Sequence, residues 1–489
     1  MISTSTYLVS CLLLDWIYTF ANNAVDRNSA YNYWVVDLPS DDTFGNYTNP
    51  SHLASAPIVR TDYLLRTVEI SNGCVHITGD LNATSHIEVI GAPHNVQEIT
   101  FNGKNLAVSL NSTSTGSITA TADFVTPEFS VPDLSKADWK VIDSLPEITA
   151  QYDDAAWTVA DQTTTNNTVL NFTTPTSLYA SDYGYHTGIL LYRGHFTANG
   201  KESTLYLGTY GGAAFGHTIY LNGTYVGSFT GEDVLPTYNE TYSLPSNLTS
   251  GAHYVITVVV DNNSLNENYV IGEDQMKLPR GIIDYDLAGH PKSDVTWKLT
   301  GNLGGEDYLD TARGPLNEGG LYAERAGYHL PSAPTSDWES SAGPQEGLSG
   351  PGIAFYTTTF DLDMPVGYDI PLSLSFSNGT ANASTAASSY TAANGTSSRP
   401  AAYRCQLFVN GYQFGKYVHN VGPQDVFPVP EGIWNFRGSN TVAVSLWVQE
   451  EAGAKVESLS LVAGPVVQSG FGAIEPAPQP GWEEREGVY

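Results

Sequence analysis

Two stretches of this chain spell the same hairpin. Ile219-Tyr-Leu-Asn-Gly-Thr-Tyr-Val-Gly227 and Leu407-Phe-Val-Asn-Gly-Tyr-Gln-Phe-Gly415 each run an apolar strand into an Asn-Gly step, with a second glycine four residues beyond the first. Asn-Gly accepts the positive φ angles of a type I′ turn, whose twist suits paired antiparallel strands. The repetition extends outward. Gly223 to Gly251 is 28 residues and Gly411 to Gly438 is 27, and each later glycine leads into a buried-type strand, Tyr254–Val260 and Thr441–Trp447. Upstream, Tyr192-Arg-Gly-His-Phe196 answers Tyr356-Thr-Thr-Thr-Phe360, preceded by Asp154 with Trp157 and by Asp337 with Trp338. One interval breaks the register: Tyr192 to Asn222 is 30 residues, whereas Tyr356 to Asn410 is 54. The surplus falls in 377–400, a run of Ser, Thr, Asn, Ala and Gly that cannot bury enough apolar surface to order itself.

A repeat of this length predicts two β-sandwiches, over 136–310 and 311–477, the second carrying 377–400 as an inserted loop. Strand order and the Asn-Gly hairpin point to jelly rolls of the galactose-binding-domain type. Ahead of them, 56–135 reads as a small antiparallel β domain: Tyr63–Ile70, Val75–Gly79 and His86–Ile90 are strand-like, and Asn72-Gly73 and Asn102-Gly103 supply turns. Residues 1–55 are expected to be the truncated end of a preceding β-rich domain, and 478–489 a tail. The apolar run Tyr7–Phe20 contains Asp15, is too short to cross a bilayer and has no basic residue before it. The fold class is therefore all-β; a composition with 15% charged residues, 46 glycines and 30 tyrosines suits strands and turns better than long helices.

The formal net charge of −31, from 51 acidic and 20 basic residues, argues against nucleic acid or an anionic membrane surface as partner, since both need clustered Lys and Arg. Cys11, Cys74 and Cys405 form no metal-type pair and, being odd in number, no complete disulfide framework. Three isolated thiols are expected, with a Cys11–Cys74 bridge as the alternative. Twelve N-x-[ST] sequons stand at Asn46, Asn82, Asn111, Asn166, Asn171, Asn222, Asn239, Asn247, Asn262, Asn378, Asn382 and Asn394. Such density favours a secreted glycoprotein.

Asp26-Arg-Asn-Ser-Ala-Tyr-Asn-Tyr-Trp34, Asp80-Leu-Asn-Ala-Thr84, Ser181-Asp-Tyr-Gly-Tyr-His-Thr-Gly188, Gly272-Glu-Asp-Gln-Met-Lys277, the Gly-rich connector Gly301–Arg325 and Val429-Pro-Glu-Gly432, in that order, resemble the large fungal-type β-galactosidases of glycoside hydrolase family 35. The resemblance implies a five-part enzyme: a catalytic (β/α)8 barrel, a β-rich second domain, a small β third domain and two jelly rolls. It also implies retaining hydrolysis of terminal non-reducing β-D-galactosyl residues by two barrel glutamates, secretion, and no cofactor. Retention needs two carboxyls about 5–5.5 Å apart. Those glutamates lie outside the resemblance, so no residue here inherits either catalytic role. The expected partners are an upstream barrel and galactoside sugars. The alternative is a stand-alone secreted carbohydrate-binding β-sandwich protein.

Several groups invite a site nonetheless. The carboxylate pairs are Glu306-Asp307, Glu318 with Glu324, and Glu273-Asp274; they are expected to be solvated or ion-paired, with Arg313 and Arg325 as natural partners. His186, His195, His217, His290 and His329 are scattered without metal-ligand spacing. Gly211–Gly216 precedes a strand rather than a helix, so it cradles no phosphate. Tyr183, Tyr185, Trp434 and Phe436 are the aromatics that could stack on a pyranose, although aromatics also fill sandwich cores.

Overall fold

The computed structural model describes residues 31–35, 57–110, 117–232, 235–246, 248–263, 265–302, 312–313, 316–376 and 400–485. They form two units. The first holds the chain through Phe129 together with the returning segments Pro365–Pro371 and Gly464–Ile474; the second holds Ser130–Met364, Leu372–Ala463 and the end of the chain from Glu475.

The first unit begins with β1 (Asn32–Val35), β2 (Ile58–Thr61), β3 (Leu65–Ser71), β4 (Cys74–Gly79), β5 (Ser85–Ile90), β6 (Glu98–Phe101), β7 (Lys104–Leu106), β8 (Val108–Leu110) and β9 (Ile118–Ala122). They make two sheets, β1-β2-β5-β9-β8 and β3-β4-β6-β7. Alternation decides which side chains meet: Ile87 and Val89 of β5 join Val59, Val75, Ile77 and Ile99 in one core, while His86 stays exposed. Both anticipated turns form, with Asn72 and Gly73 at φ 51° and 79°, and Asn102 and Gly103 at φ 50° and 77°. Two expectations need correction. β4 pairs with β6 in parallel, so this domain is not purely antiparallel. And β1 pairs with β2, Tyr33 opposite Arg60, so the sheet starts well before residue 56 and residues 32–35 belong to it rather than to a preceding domain. The returning segment is anchored by Asp80, which accepts two hydrogen bonds from Arg66, both 2.7 Å, and others from Ser469 Oγ at 3.2 Å and Gly470 N at 3.1 Å.

The second unit contains β10 (Trp139–Asp143), β11 (Thr158–Val159), β12 (Gly188–Thr197), β13 (Thr204–Tyr210), β14 (His217–Leu221), β15 (Thr224–Phe229), β16 (Thr237–Ser243), β17 (His253–Asn262), β18 (Gly281–Leu287) and β19 (Thr296–Thr300). A short helix, α1 (Tyr322–Arg325), leads into β20 (Glu339–Ser341) and β21 (Gly352–Asp363). β22 (Tyr368–Asp369) then returns to the first unit. The second unit resumes with β23 (Leu372–Ser375), β24 (Tyr403–Val409), β25 (Tyr412–Val418), β26 (Val426–Val429), β27 (Arg437–Val448) and β28 (Ser460–Ala463), and β29 (Val467–Gln468) pairs with β22 in the first unit.

The repeat is visible strand by strand. One sandwich sets β11-β19-β12-β17-β14-β15 against β16-β13-β18; the other sets β20-β10-β21-β27-β24-β25 against β26-β23-β28. Tyr192 and Tyr356 occupy the same station, opposite Val258 and Val444 respectively. The hairpins match in detail. Asn222 and Gly223 have φ 44° and 85°, Asn410 and Gly411 φ 48° and 86°. Asn222 Oδ1 accepts from Val255 N at 2.7 Å, as Asn410 Oδ1 does from Thr441 N at 2.8 Å. The second glycine of each motif has a packing reason: a Cβ on Gly227 would strike the Tyr242 ring, and one on Gly415 would sit 2.5 Å from Phe427 Cδ1. Alanine at Gly415 is therefore expected to cost about 1–3 kcal/mol through overpacking, read as a lower thermal midpoint. An unchanged midpoint would show that Phe427 can move aside.

One strand lies where sequence order did not put it. β10 precedes the first sandwich, yet it pairs with β20 and β21 of the second, Lys140 opposite Thr357. Its counterpart in the first sandwich is β19, and the local sequences agree: Leu134-Ser-Lys-Ala-Asp-Trp139-Lys-Val and Pro291-Lys-Ser-Asp-Val-Thr-Trp297-Lys-Leu each place a single 3-10 turn just before Trp-Lys. The boundary at residue 136 thus assigns β10 to the wrong sandwich. A repeat recognised by spacing cannot reveal that one copy borrows a strand from the far side of the other.

Candidate functional site

The polar chemistry of the second unit concentrates where the two sandwiches meet. Apolar side chains from both build the floor of this joint: Ile189, Leu191, Tyr220 and Val259 from the first, Ile353 and Trp447 from the second, with Leu321 just before α1. Trp447 Nε1 donates across the joint to Thr218 Oγ1 at 3.1 Å.

Charged groups sit within this dry surround. Asp261, at the end of β17 and 0% exposed, accepts from Lys416 Nζ on β25 at 2.7 Å and pairs with Arg404 on β24. Lys416 reaches on to Glu318 Oε1 at 2.8 Å, and Glu318 Oε2 accepts from Gln406 Nε2 at 2.9 Å. Arg404 also donates to Gln449 Oε1 at 3.1 Å and to the Thr230 carbonyl at 3.2 Å. Burial opposes ionisation of Asp261, but the charges of Lys416 and Arg404 outweigh it and hold its carboxyl below the usual range. A second pair, Arg325 of α1 with Glu147, is fully buried a short way off, and Arg325 lies over the Trp157 ring. Between them Glu324 is 2% exposed, and neither carboxyl oxygen has a hydrogen-bond partner. On the first sandwich, Asp154 gathers Arg193 at 2.8 Å, His195 at 2.7 Å and Lys298 at 2.9 Å. Burial again works against the charge, and the hydrogen bonds from His195 and Lys298 prevail, keeping this carboxyl well below its ordinary value.

The singled-out residues fall into place around these clusters. Glu318 and Glu324 do come together in the joint, Glu324 buried and Glu318 partly exposed and paired with Lys416. Arg313 donates to the carbonyls of Asn410 and Pro480, and Arg325 pairs with Glu147. Lys416, on a strand remote in sequence, has the geometry to claim Glu318. Glu273 accepts from Gln275 and Asp274 pairs with Lys277 at 3.4 Å; Glu306 and Asp307 lie outside the described residues. His217 and His329 are buried, and His290 is held by Glu202 at 2.6 Å. Gly211 packs against Phe215. Trp434 and Phe436 are core residues, 1% and 4% exposed, while Tyr183 and Tyr185 pack on the first sandwich's core with hydroxyls engaged by Ser177 and Thr158. Among the described residues no group of three His, Cys, Asp or Glu side chains has metal-binding geometry.

Of the sequons, Asn82, Asn166, Asn171 and Asn239 are exposed. Asn262 is corrected: it is 0% exposed and its Nδ2 donates to the His186 carbonyl, so no glycan fits there. Asn46, Asn111, Asn247, Asn378, Asn382 and Asn394, like the loop 377–399, lie outside the described residues. Cys74 and Cys405 are free and buried, and Cys11 lies outside the described residues. No described helix is long and apolar enough to cross a membrane. What sequence reasoning missed is Asp261, Arg404, Lys416 and Glu147. The available signal was a charge inside an otherwise apolar strand, as in Val258-Val-Val-Asp261 and Tyr403-Arg-Cys-Gln-Leu407.

Fold and joint together define a tandem of jelly-roll sandwiches whose buried charges hold the two halves to each other. The profile of the β-galactosidase second all-beta domain matches residues 152–266 and again 322–452, and that of β-galactosidase domain 3 matches 34–119. Beta-galactosidase A of a Penicillium species is 51% identical over 465 residues, 95% of this chain and 44% of that protein. Beta-galactosidase A of Aspergillus niger is 50% identical over the same shares, and a probable beta-galactosidase E of Aspergillus fumigatus is 53% identical over 463 residues. Among solved structures, a Bacteroides uniformis beta-glucuronidase matches at 13% identity over 66% of this chain and 28% of its own, with a TM-score of 0.18, too slight a likeness to bear on the fold. The chain belongs to the fungal-type β-galactosidase family and matches its all-β domains. It spans less than half the length of the relatives it matches.

Proposed function

We propose that these domains support the catalytic (β/α)8 barrel of a secreted β-galactosidase that removes terminal non-reducing β-D-galactosyl residues. The observation that carries this reading is an identity of 50–53% across 95% of the chain to β-galactosidases more than twice as long. A match that reaches over 95% of the chain, across all of its domains, fits a supporting role distributed over packing surfaces. A second feature agrees. Two adjoining loops of the first sandwich, tied by hydrogen bonds from Asn167 to the Lys277 carbonyl and from Thr168 to Asp274, expose Ile271 at 104% and Tyr269 at 80%, beside Val270, Met276, Val169 and Leu170. Contiguous apolar surface of this kind is a docking surface, and the barrel is the occupant proposed. The rival carbohydrate-binding reading has less to draw on, with Trp434 and Phe436 in the core and Tyr183 and Tyr185 half-buried with their hydroxyls engaged.

The test is the deglycosylated mass of the native protein, taken together with turnover of a chromogenic β-galactoside. The expected result is a mass more than twice the 52.7 kDa of this chain, which leaves room for a barrel of on the order of 250 residues and the β-rich domain after it, with the activity co-purifying, and no turnover by the isolated chain. Turnover by the isolated chain that is lost on replacing one of its own carboxylates overturns the reading. A native mass equal to this chain, with galactoside affinity in calorimetry, favours the binding protein instead.

A further inference from the structure

We propose that the joint between the two sandwiches is a proton-held clasp, in which Glu324 must stay protonated for the halves to lock, so that the joint tightens in acid and loosens toward mildly alkaline pH.

The argument starts from charge balance. The charges that Glu324 feels are Glu318 of the connector, Lys416 of β25 and its neighbour Arg325; Lys416 is itself held by Glu318 and by Asp261 of β17, and Asp261 by Arg404 of β24. Two cations thus face two anions and already neutralise each other through direct contacts. On the helix side, Arg325 is matched by Glu147. Arg485, near the chain end, donates to the carbonyls of Glu324 and Arg325 and leaves the Glu324 carboxyl untouched. An ionised Glu324 would therefore be an additional negative charge whose oxygens make no full hydrogen bond and feel only the weak pull of the Leu321 amide. Burying such a charge is far more costly than burying the neutral acid. Burial first, and the Glu318 charge second, push its carboxyl up to about 8, against the weaker pull of Lys416, the Leu321 amide and Arg325.

The sign follows from proton binding. Between the ordinary glutamate value and the raised one, the folded joint holds a proton that the unfolded chain has released. Folding then takes up a proton, and stability falls as pH rises through that window. Glu324 belongs to α1, at the start of the second profile-matched segment, and the Ala323 amide next to it donates to Ser144 Oγ at 3.1 Å. Loosening of α1 on ionisation would loosen its grip on both sides.

The experiment compares the chain with its Glu324→Gln variant, which fixes the neutral form in nearly the same shape. Calorimetric midpoints are followed from about pH 5 to about pH 8.5. The expected result is a wild-type midpoint that falls relative to the variant across that range, with the two meeting at the acid end. Parallel curves overturn the proposal. Infrared spectra near pH 6.5 supply an independent readout: wild type shows the carbonyl stretch of a protonated carboxylic acid that the variant lacks. Absence of that difference band also overturns the proposal, even if the variant folds poorly.

Discussion

Replacing Asp261 with asparagine is expected to destabilise the second unit by about 3–5 kcal/mol, the usual consequence of removing one partner from a buried ionic cluster. Asp261 is the anion shared by Arg404 and Lys416. Without its charge, Arg404 keeps only neutral partners, Gln449 and the Thr230 carbonyl, and Lys416 keeps Glu318 and Asn263. Because the cluster bridges β17 of one sandwich to β24 and β25 of the other, the loss falls on the joint more than on either sandwich. Calorimetry of the second unit should show one transition dividing into two. A single transition at an unchanged midpoint would mean that the apolar floor around Trp447 carries the coupling alone. The effect is pH-dependent in the sense opposite to Glu324: a depressed carboxylate contributes above its ordinary range and is lost as pH falls. Asp261 therefore limits the joint from the acid side and Glu324 from the alkaline side.

The second large effect concerns β10. A chain shortened to begin at Ser144 keeps Glu147 for Arg325 but loses β10, whereas one beginning at Ser130 keeps both. The shorter chain leaves β21 unpaired along Ala354–Thr357 and empties the space of Trp139, which is 1% exposed and packs on Gly343. Loss of a buried tryptophan alone costs about 3–5 kcal/mol, and an open strand edge invites pairing between molecules. The expected outcome in light scattering is a monomeric chain from Ser130 and an aggregating chain from Ser144, rescued by a peptide covering residues 130–143. Equal behaviour of the two would show that β10 is dispensable.

Much of the fold was legible because turn chemistry and strand composition are local. The Asn-Gly steps formed the turns their φ requirements demand, and the spacing of glycines and apolar runs placed both sandwiches in nearly the right register. What was not legible is non-local. Nothing near Trp139 says that its strand pairs beyond residue 350; only its likeness to the segment around Trp297 hints at an equivalent station. The joint was half visible. Glu318 and Glu324 stood out as a carboxylate pair, but their context depends on Lys416 and Asp261, which local sequence presents as one basic residue after a turn and one acid ending a strand. Asn262 misled for the same reason: a sequon is a local pattern, and burial is not.

The borrowed strand also sets an order of events on the ribosome. Lys140 is made some 217 residues before Thr357, its partner across the ladder. At typical synthesis rates that interval is on the order of ten to forty seconds. The first sandwich completes its own strands at Thr300, still 57 residues short of Thr357, so β10 waits through the making of that whole sandwich with its hydrogen-bonding edge unsatisfied.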